Sequence, residues 1–524
     1  MTERYRFFKN GIMLSLVTMA MRTVAMLFGA FVTRTVGAEG TGLYTIIMTV
    51  YSFAVTFATS GISLTVTRLV ASAIGEGDGR GATKILRGAI VYSAMFGIAS
   101  WLVLYFGAEF ISSVILSETR SIPALKILSF SLLPTALMSV FTGYFVGVKR
   151  VSFNAAAQVF GQLVKIVVTV VLVMWASPYG VDAAVGALCL GIALTEILSF
   201  LLIFIEFLYD RRKYSEKCKE KVSYDLKSVT KTAIPLALSS YVRSAFLTIE
   251  HILIPARLRD SGESASQSYA HYGVLHGMAL PLILYPMSPL SSFSGLLVPE
   301  FAADSASKNI GRMNRVASQA LNTTLVYSVL VAVFIYFFSE ELGYLIYDSY
   351  DAGKYIAMLA PIIPIMYLDH VTDSVLKGIG EQVFSMWVNI TDSILSVALV
   401  WILIPKFGIA GYAIVIVVME GYNFLLSLLR LVGRVKFKIS FTRSIIFPTL
   451  AAALAAYASR ELFSFAGASV SIFWLIMKMI FFISLFFGAY YLTFAIGFSL
   501  TDNKKLHKSH KRHQNNKEID IHIK

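Results

Sequence analysis

Three cations stand deep inside long apolar runs of the sequence: Arg22, Lys165 and Arg243. An ionisable side chain at bilayer depth costs about 2.5–3.5 kcal/mol on insertion scales, so it needs a partner or a wet cavity. Arg22 follows Asn10 by twelve residues, about 18 Å of helix, which is too deep for easy snorkelling. Ser15, Thr18 and Arg22 share one helical face, as do Ser239, Arg243 and Glu250. Cations facing a common cavity suit an anionic substrate; an Arg gluing helices together through a buried carboxylate is the competing reading. Lys165 belongs to the polar stripe Asn154, Gln158, Gln162, Lys165 and Thr169, spaced 4, 4, 3 and 4, one continuous helix face. A second stripe, Ser385, Asn389, Ser393 and Ser396, runs beside Asp392. Thr18, Gln158, Gln162, Ser239 and Asn389 are therefore expected to line a wet cavity. Asp369 and Asp373 share a helix face at i, i+4, while Asp392 and Glu420 stand mid-run. These four carboxylates suit exchange of H⁺ or binding of Na⁺ as a coupling ion. Neutralisation of Arg243 by them, and of Lys165 by Glu196, is the alternative.

The elements that must position these groups are helices in a membrane. Of 524 residues, 56% are apolar and 15% charged, too little charge for a water-facing surface. The apolar residues recur in runs of helical spanning length, whereas barrel strands would be about ten residues long and alternating. About fourteen spans are expected, an all-α polytopic membrane protein. Most of the 45 Lys and Arg fall in alternate loops, including the N-terminus, Arg211 to Lys231, Arg434 to Arg443 and the C-terminal tail. That asymmetry predicts both termini in the cytoplasm, in a multi-pass protein of the cytoplasmic membrane, and external loops at Ser261 and Ser349. The first apolar run is too long for a signal-peptide core and reads as a retained span.

A weak internal repeat divides the chain. LVTMAMRTVAML around Arg22 aligns with LALSSYVRSAFL around Arg243, and shifts of 231–232 place Leu43, Val66, Gly147 and Phe153 over Leu275, Val298, Gly378 and Phe384. Two six-helix lobes related by a pseudo-two-fold along the membrane normal are expected, at 1–208 and 229–432. A basic cytoplasmic linker, 209–228, joins them. Helices 13 and 14 occupy 433–500, and a polar tail 501–524 follows.

Other chemistries lack their residues. Cys189 and Cys218 form no metal or redox spacing. His507, His510 and His513 read as part of a solvated basic tail rather than a metal site. No Walker A sequence is present, and Gly75–Gly81 reads as a turn, not a nucleotide loop. No external loop is long enough for a catalytic domain, so no enzyme, cofactor or resident metal is expected. The net charge of +14 reflects topology rather than nucleic-acid binding, and a monomer is expected.

Several stretches resemble the stage V sporulation protein B group of polysaccharide transporters, in the multidrug/oligosaccharidyl-lipid/polysaccharide exporter superfamily. They are GAEGTGLYTIIMTVYSF from Gly37, GISLTVTRLVAS from Gly61, GYFVGVKRVSFNAAAQVFGQLVKIVV from Gly143, and YGVLHGMALPLILYP with LLVPEFAAD from Tyr272. The resemblance implies a V of two lobes working by alternating access. It implies export of an undecaprenyl-diphosphate-linked oligosaccharide or peptidoglycan precursor from the inner to the outer leaflet. Arg22, Lys165 and Arg243 would then hold the diphosphate head, for which a guanidinium fork suits phosphate oxygens best. A cation-coupled multidrug antiporter of the same superfamily, and a membrane glycosyltransferase or polymerase, are the alternatives.

Overall fold

The computed structural model describes residues 2–59, 61–75, 79–148, 151–210, 226–465 and 471–491, and among them there is helix and no strand. Ten helices are long and apolar enough to cross a membrane, or eleven with the bent pair Thr119–Ser129 and Leu132–Gly147. Two of these are too long for one crossing, which takes about 20 residues: Met19–Ile74 has 56 residues and Gln382–Val432 has 51. Each is divided where a glycine adopts a left-handed conformation, Gly37 at φ 72° and Gly408 at φ 57°, which lets the chain reverse without a Cβ clash. Leu226–Asp260 is helical over 35 residues but carries Ser240, Arg243, Ser244, Thr248, Glu250 and His251 within it. Its polar face, not its length, keeps it out of the apolar set. With both long helices divided and this one included, the fold is consistent with fourteen spans, numbered here in chain order. Spans 1 and 2 are the parts of Thr2–Thr59 before and after Gly37, span 5 is Val151–Ala176, span 7 is Leu226–Asp260, span 8 runs from Ala265, spans 11 and 12 are the two halves of Gln382–Val432, and span 13 is Thr442–Phe465.

The sequence repeat recurs in the backbone. Ser117 and Asp348 are left-handed at φ 52° and 55°, and their numbers differ by 231. Helices break after Ser129 and after Leu359, again about 231 apart. A Cβ on Gly147 would lie 3.1 Å from the Thr67 carbonyl, and one on Gly378 would lie 3.0 Å from the Val298 carbonyl. Both pairs keep the same offset, so the same close helix crossing is built twice.

Packing groups the chain into two units, Met1–Ser288 with Gln382–Asn423, and Pro289–Glu381 with Phe424–Lys524. The first therefore contains spans from both sequence halves. One apolar cluster of the first unit is centred on Val66, Val70, Tyr144, Phe145 and Ala233. In the second, Phe301, Leu321, Val371, Val375 and Leu431 pack together. In that unit Arg430 and Arg434 clamp Glu381 at 2.7 Å each, and the Arg430 hydrogen bond holds its carboxyl below the usual carboxylate range. Most of the basic linker, with Cys218, and the whole histidine-bearing tail lie outside the described residues.

The orientation has a direct test. Ser349 caps the helix Tyr350–Leu359 by accepting from the Ala352 N–H at 3.2 Å, so its exposed neighbour Tyr350 is the better labelling position. Ser261→Cys and Tyr350→Cys are expected to react with an impermeant maleimide in intact cells. Labelling of either only after lysis would contradict the orientation.

Candidate functional site

The first unit holds most of the residues singled out above. In span 1 the exposed Arg22 donates from Nη1 to the buried Ser288 Oγ at 3.0 Å. Beside it Thr23 and Tyr285 share a hydrogen bond of 2.7 Å. Both partners sit where span 8 is loosened by prolines, a 3₁₀ turn at Tyr285–Met287 followed by the helix from Ser288. Proline removes an N–H and crowds the preceding turn, which lets the Ser288 hydroxyl bond the Tyr285 carbonyl at 2.7 Å. No carboxylate lies within ion-pair distance of Arg22 among the described residues, so one neutral hydroxyl orients a guanidinium with donors to spare.

Arg243 is exposed on span 7. Asp392 of span 11 interacts with it electrostatically, and Asp392 is itself hydrogen-bonded to Asn423. Two turns along span 7, Glu250 accepts from Ser396 Oγ at 2.7 Å and lies within electrostatic range of Asp392. Asp392, Glu250 and Arg243 therefore form one group carrying two acids and one base. Lys165 interacts with Glu196, which also accepts from Thr135 at 3.4 Å. Of the three cations, Arg22 alone lacks a carboxylate nearby among the described residues.

The polar stripes are partly inward. Gln162 and Asn389 are half-buried, and Asn389 turns its amide back to the Ser385 carbonyl at 2.7 Å. Thr169 is fully buried, and a Cβ on Gly191 would lie 2.5 Å from its hydroxyl. The stripe of span 5 thus ends in a helix contact beyond Lys165. The side chains of Thr18, Gln158 and Ser239 lie outside those described. Asp369 and Asp373 belong to the second unit, where Asp373 pairs with Lys377 at 2.5 Å on its own helix. Glu420 is half-buried in the first unit.

Two groups were not anticipated. His251 Nδ1 meets the Tyr272 hydroxyl at 2.8 Å, and His276 Nε2 meets the Tyr412 hydroxyl at 2.9 Å. The two imidazoles lie 4.6 Å apart, edge to face. Histidines inside spans are signals in their own right, and the sequence reading passed over them. The second group joins the turns between helices. Arg120 forks onto Glu118 at 2.8 and 2.9 Å, reaches Glu39 at 2.8 Å and Asp182 at 3.5 Å. Ser266 also donates to Glu39, at 2.7 Å. Burial draws the Glu118 carboxyl up, but the Arg120 hydrogen bonds outweigh it and hold the group below the ordinary range. Four turns of the first unit are stitched around one guanidinium.

Comparison with known proteins places this geometry. The sequence pattern of the family described as polysaccharide biosynthesis protein matches residues 7–305, and that described as MatE matches 278–402. Stage V sporulation protein B of Bacillus subtilis (strain 168) is 25% identical over 418 residues, 78% of this chain and 80% of that protein. Lipid II flippase MurJ of the same organism is 20% identical over 409 residues, 73% of this chain and 74% of its own. Among solved structures, lipid II flippase MurJ in an inward closed conformation superposes with a TM-score of 0.68 at 15% identity, covering 91% of this chain and 99% of that one. An inward-facing multidrug resistance MATE family transporter of the MOP superfamily gives 0.62 at 17% identity, covering 79% and 95%. The chain belongs to the polysaccharide biosynthesis protein family and carries the fold of the MOP-superfamily transporters.

Proposed function

We propose that this protein is an alternating-access flippase that moves an undecaprenyl-diphosphate-linked oligosaccharide or peptidoglycan precursor from the inner to the outer leaflet of the cytoplasmic membrane. The observation that carries the reading is Arg22: a mid-span guanidinium, held by one neutral hydroxyl and matched by no nearby carboxylate among the described residues. Such a group favours an anionic cargo and opposes a cationic one. Arg243 and Lys165 add positive charge, and the lipid tail of the cargo stays in the bilayer. The name of one Bacillus subtilis relative, a lipid II flippase, supports the same cargo class.

Coupling to Na⁺ or H⁺ is assigned to Asp392 with Glu250 and Ser396: Ser396 bonds Glu250, and Asp392 lies in electrostatic range of both Glu250 and Arg243. Glu420 and the second unit's Asp369 and Asp373 are the further candidates. In this reading both termini are cytoplasmic, the working unit is one chain, and no nucleic acid takes part.

Reconstitution tests the function. Protein in liposomes loaded with a fluorescent undecaprenyl-diphosphate-linked disaccharide is expected to expose the label to an external quencher faster than empty liposomes, and faster still with an imposed ion gradient. Equal rates with and without protein would exclude the reading.

A further inference from the structure

The segment between spans 12 and 13 is not helical, yet its backbone is fixed. Residues 435–440 carry no regular secondary structure after the helix ends at Val432, and their backbone bonds come from alternate residues, as in an extended chain. Asn314, Ser318 and Asn322 lie four residues apart on one face of the helix Ile310–Phe337, about 6 Å per step. Alternate residues of an extended chain repeat at about 6.6 Å, so the two ladders match. The Lys436 N–H donates to Asn314 Oδ1 at 2.9 Å, the Lys438 N–H to Ser318 Oγ at 3.0 Å, and the Ser440 N–H to Asn322 Oδ1 at 3.0 Å. Asn322 Nδ2 returns a bond to the Lys438 carbonyl at 2.8 Å. Ser318 spends its proton on the Asn314 carbonyl at 2.7 Å, which leaves its oxygen as the acceptor the ladder needs. Non-helical backbone near a membrane must be satisfied by protein, and here a polar stripe on a neighbouring helix does so.

Fixing the backbone also fixes the side chains, which alternate along an extended chain. Val435 is buried and Phe437 packs against the core of the second unit. Lys436 and Lys438 are exposed, and neither forms an ion pair among the described residues. Several neighbouring cations of this unit are paired instead: Arg430 and Arg434 with Glu381, Arg312 with Glu300 and Asp304, Lys377 with Asp373. Immediately beyond the lysines, Ile439 and Phe441 are exposed, Phe441 at 63%. Two cations one strand repeat apart, beside outward apolar side chains and between the ends of two membrane spans, match a phosphate headgroup with its acyl chains.

We infer that the strap 434–441 is a binding site for anionic phospholipid, with Lys436 and Lys438 holding headgroup phosphate and Ile439 and Phe441 meeting the acyl chains. Each lysine near an anionic surface contributes about fivefold in affinity, and the effect weakens within a Debye length as salt rises. The strap's site is separate from the Arg22 region and does not depend on the cargo assigned above.

The test uses the purified full chain in neutral detergent, titrated with short-chain phosphatidylglycerol or phosphatidylcholine and read by native mass spectrometry. Wild type is expected to retain phosphatidylglycerol in preference. The double variant Lys436→Gln/Lys438→Gln should lose that preference by about 25-fold. Lys436→Arg/Lys438→Arg should keep it and serves as the control for folding. Asn322→Ala should weaken it with both lysines present, because the ladder no longer holds them in register. Inorganic phosphate at matched concentration is expected not to compete. Undiminished preference in the glutamine variant, no preference in wild type, or displacement by inorganic phosphate would each overturn the inference.

Discussion

Replacing Gly42 with alanine is expected to force span 2 away from span 8 and to destabilise the protein by about 1–3 kcal/mol or more. A Cβ at this position would lie 1.8 Å from the Tyr269 carbonyl oxygen and 2.6 Å from its carbon. Real contacts of this kind begin near 3.0 Å, and the obstacle is backbone, which no rotamer change can remove. The opposing face is equally tight, since a Cβ on Gly273 would lie 2.3 Å from the Ala38 carbonyl and 2.5 Å from the Gly42 nitrogen. The two glycines therefore let spans 2 and 8 touch backbone to backbone close to the Gly37 turn. That seam continues into the side-chain stitching: Tyr269 donates to the Leu116 carbonyl at 3.2 Å, and Arg259 reaches the same carbonyl at 3.3 Å. Gly42→Ala should lower the thermal midpoint in detergent and increase labelling of a cysteine at Thr45. Gly186→Ala, with nothing within 4 Å of the added carbon, should do neither. A Gly42→Ala protein with parental midpoint and labelling would contradict the seam.

Much of this was legible in the sequence because the membrane makes backbone and charge expensive. Span lengths, the repeat offset of 231 and the cations at depth all follow from that cost. Gly147 and Gly378 were visible as a pair before their matching contacts with Thr67 and Val298 were known. Arg22 and Arg243 stood out for the same reason. Side-chain partnerships were less legible, because helix packing joins residues remote in sequence. Arg120 meets Glu39 across 81 residues, and His276 meets Tyr412 across 136. The stripe Asn314, Ser318, Asn322 has an obvious helical period, but only the fold shows that its partner is an extended strap. The four acidic residues grouped as a coupling set also divide between the units, and the structure adds Glu250 to Asp392 instead. Periodicity identifies a face; it does not say what the face meets.

The second large effect concerns the diphosphate. Removing the Arg22 guanidinium should cost one charge-assisted contact, about 1.5–3 kcal/mol, or roughly 10- to 150-fold in affinity. The fold should survive, because Ser288 keeps its own bond to the Tyr285 carbonyl and no buried carboxylate is left unmatched. Lysine should restore only part of the binding, since it keeps the charge but loses the bidentate fork. Arg243→Ala should weaken binding as well, but with some loss of folded yield, because Asp392 and Glu250 lose their neighbouring cation. Removing the Asp392 carboxyl in the same chain should recover that yield without recovering the binding. The most direct measurement is the affinity of purified, monodisperse parent, Arg22→Ala, Arg22→Lys and Arg243→Ala proteins for an undecaprenyl-diphosphate-linked sugar. At least tenfold weaker binding by Arg22→Ala, with an intermediate value for Arg22→Lys, is the predicted result. Parental affinity in a well-folded Arg22→Ala protein would contradict the account.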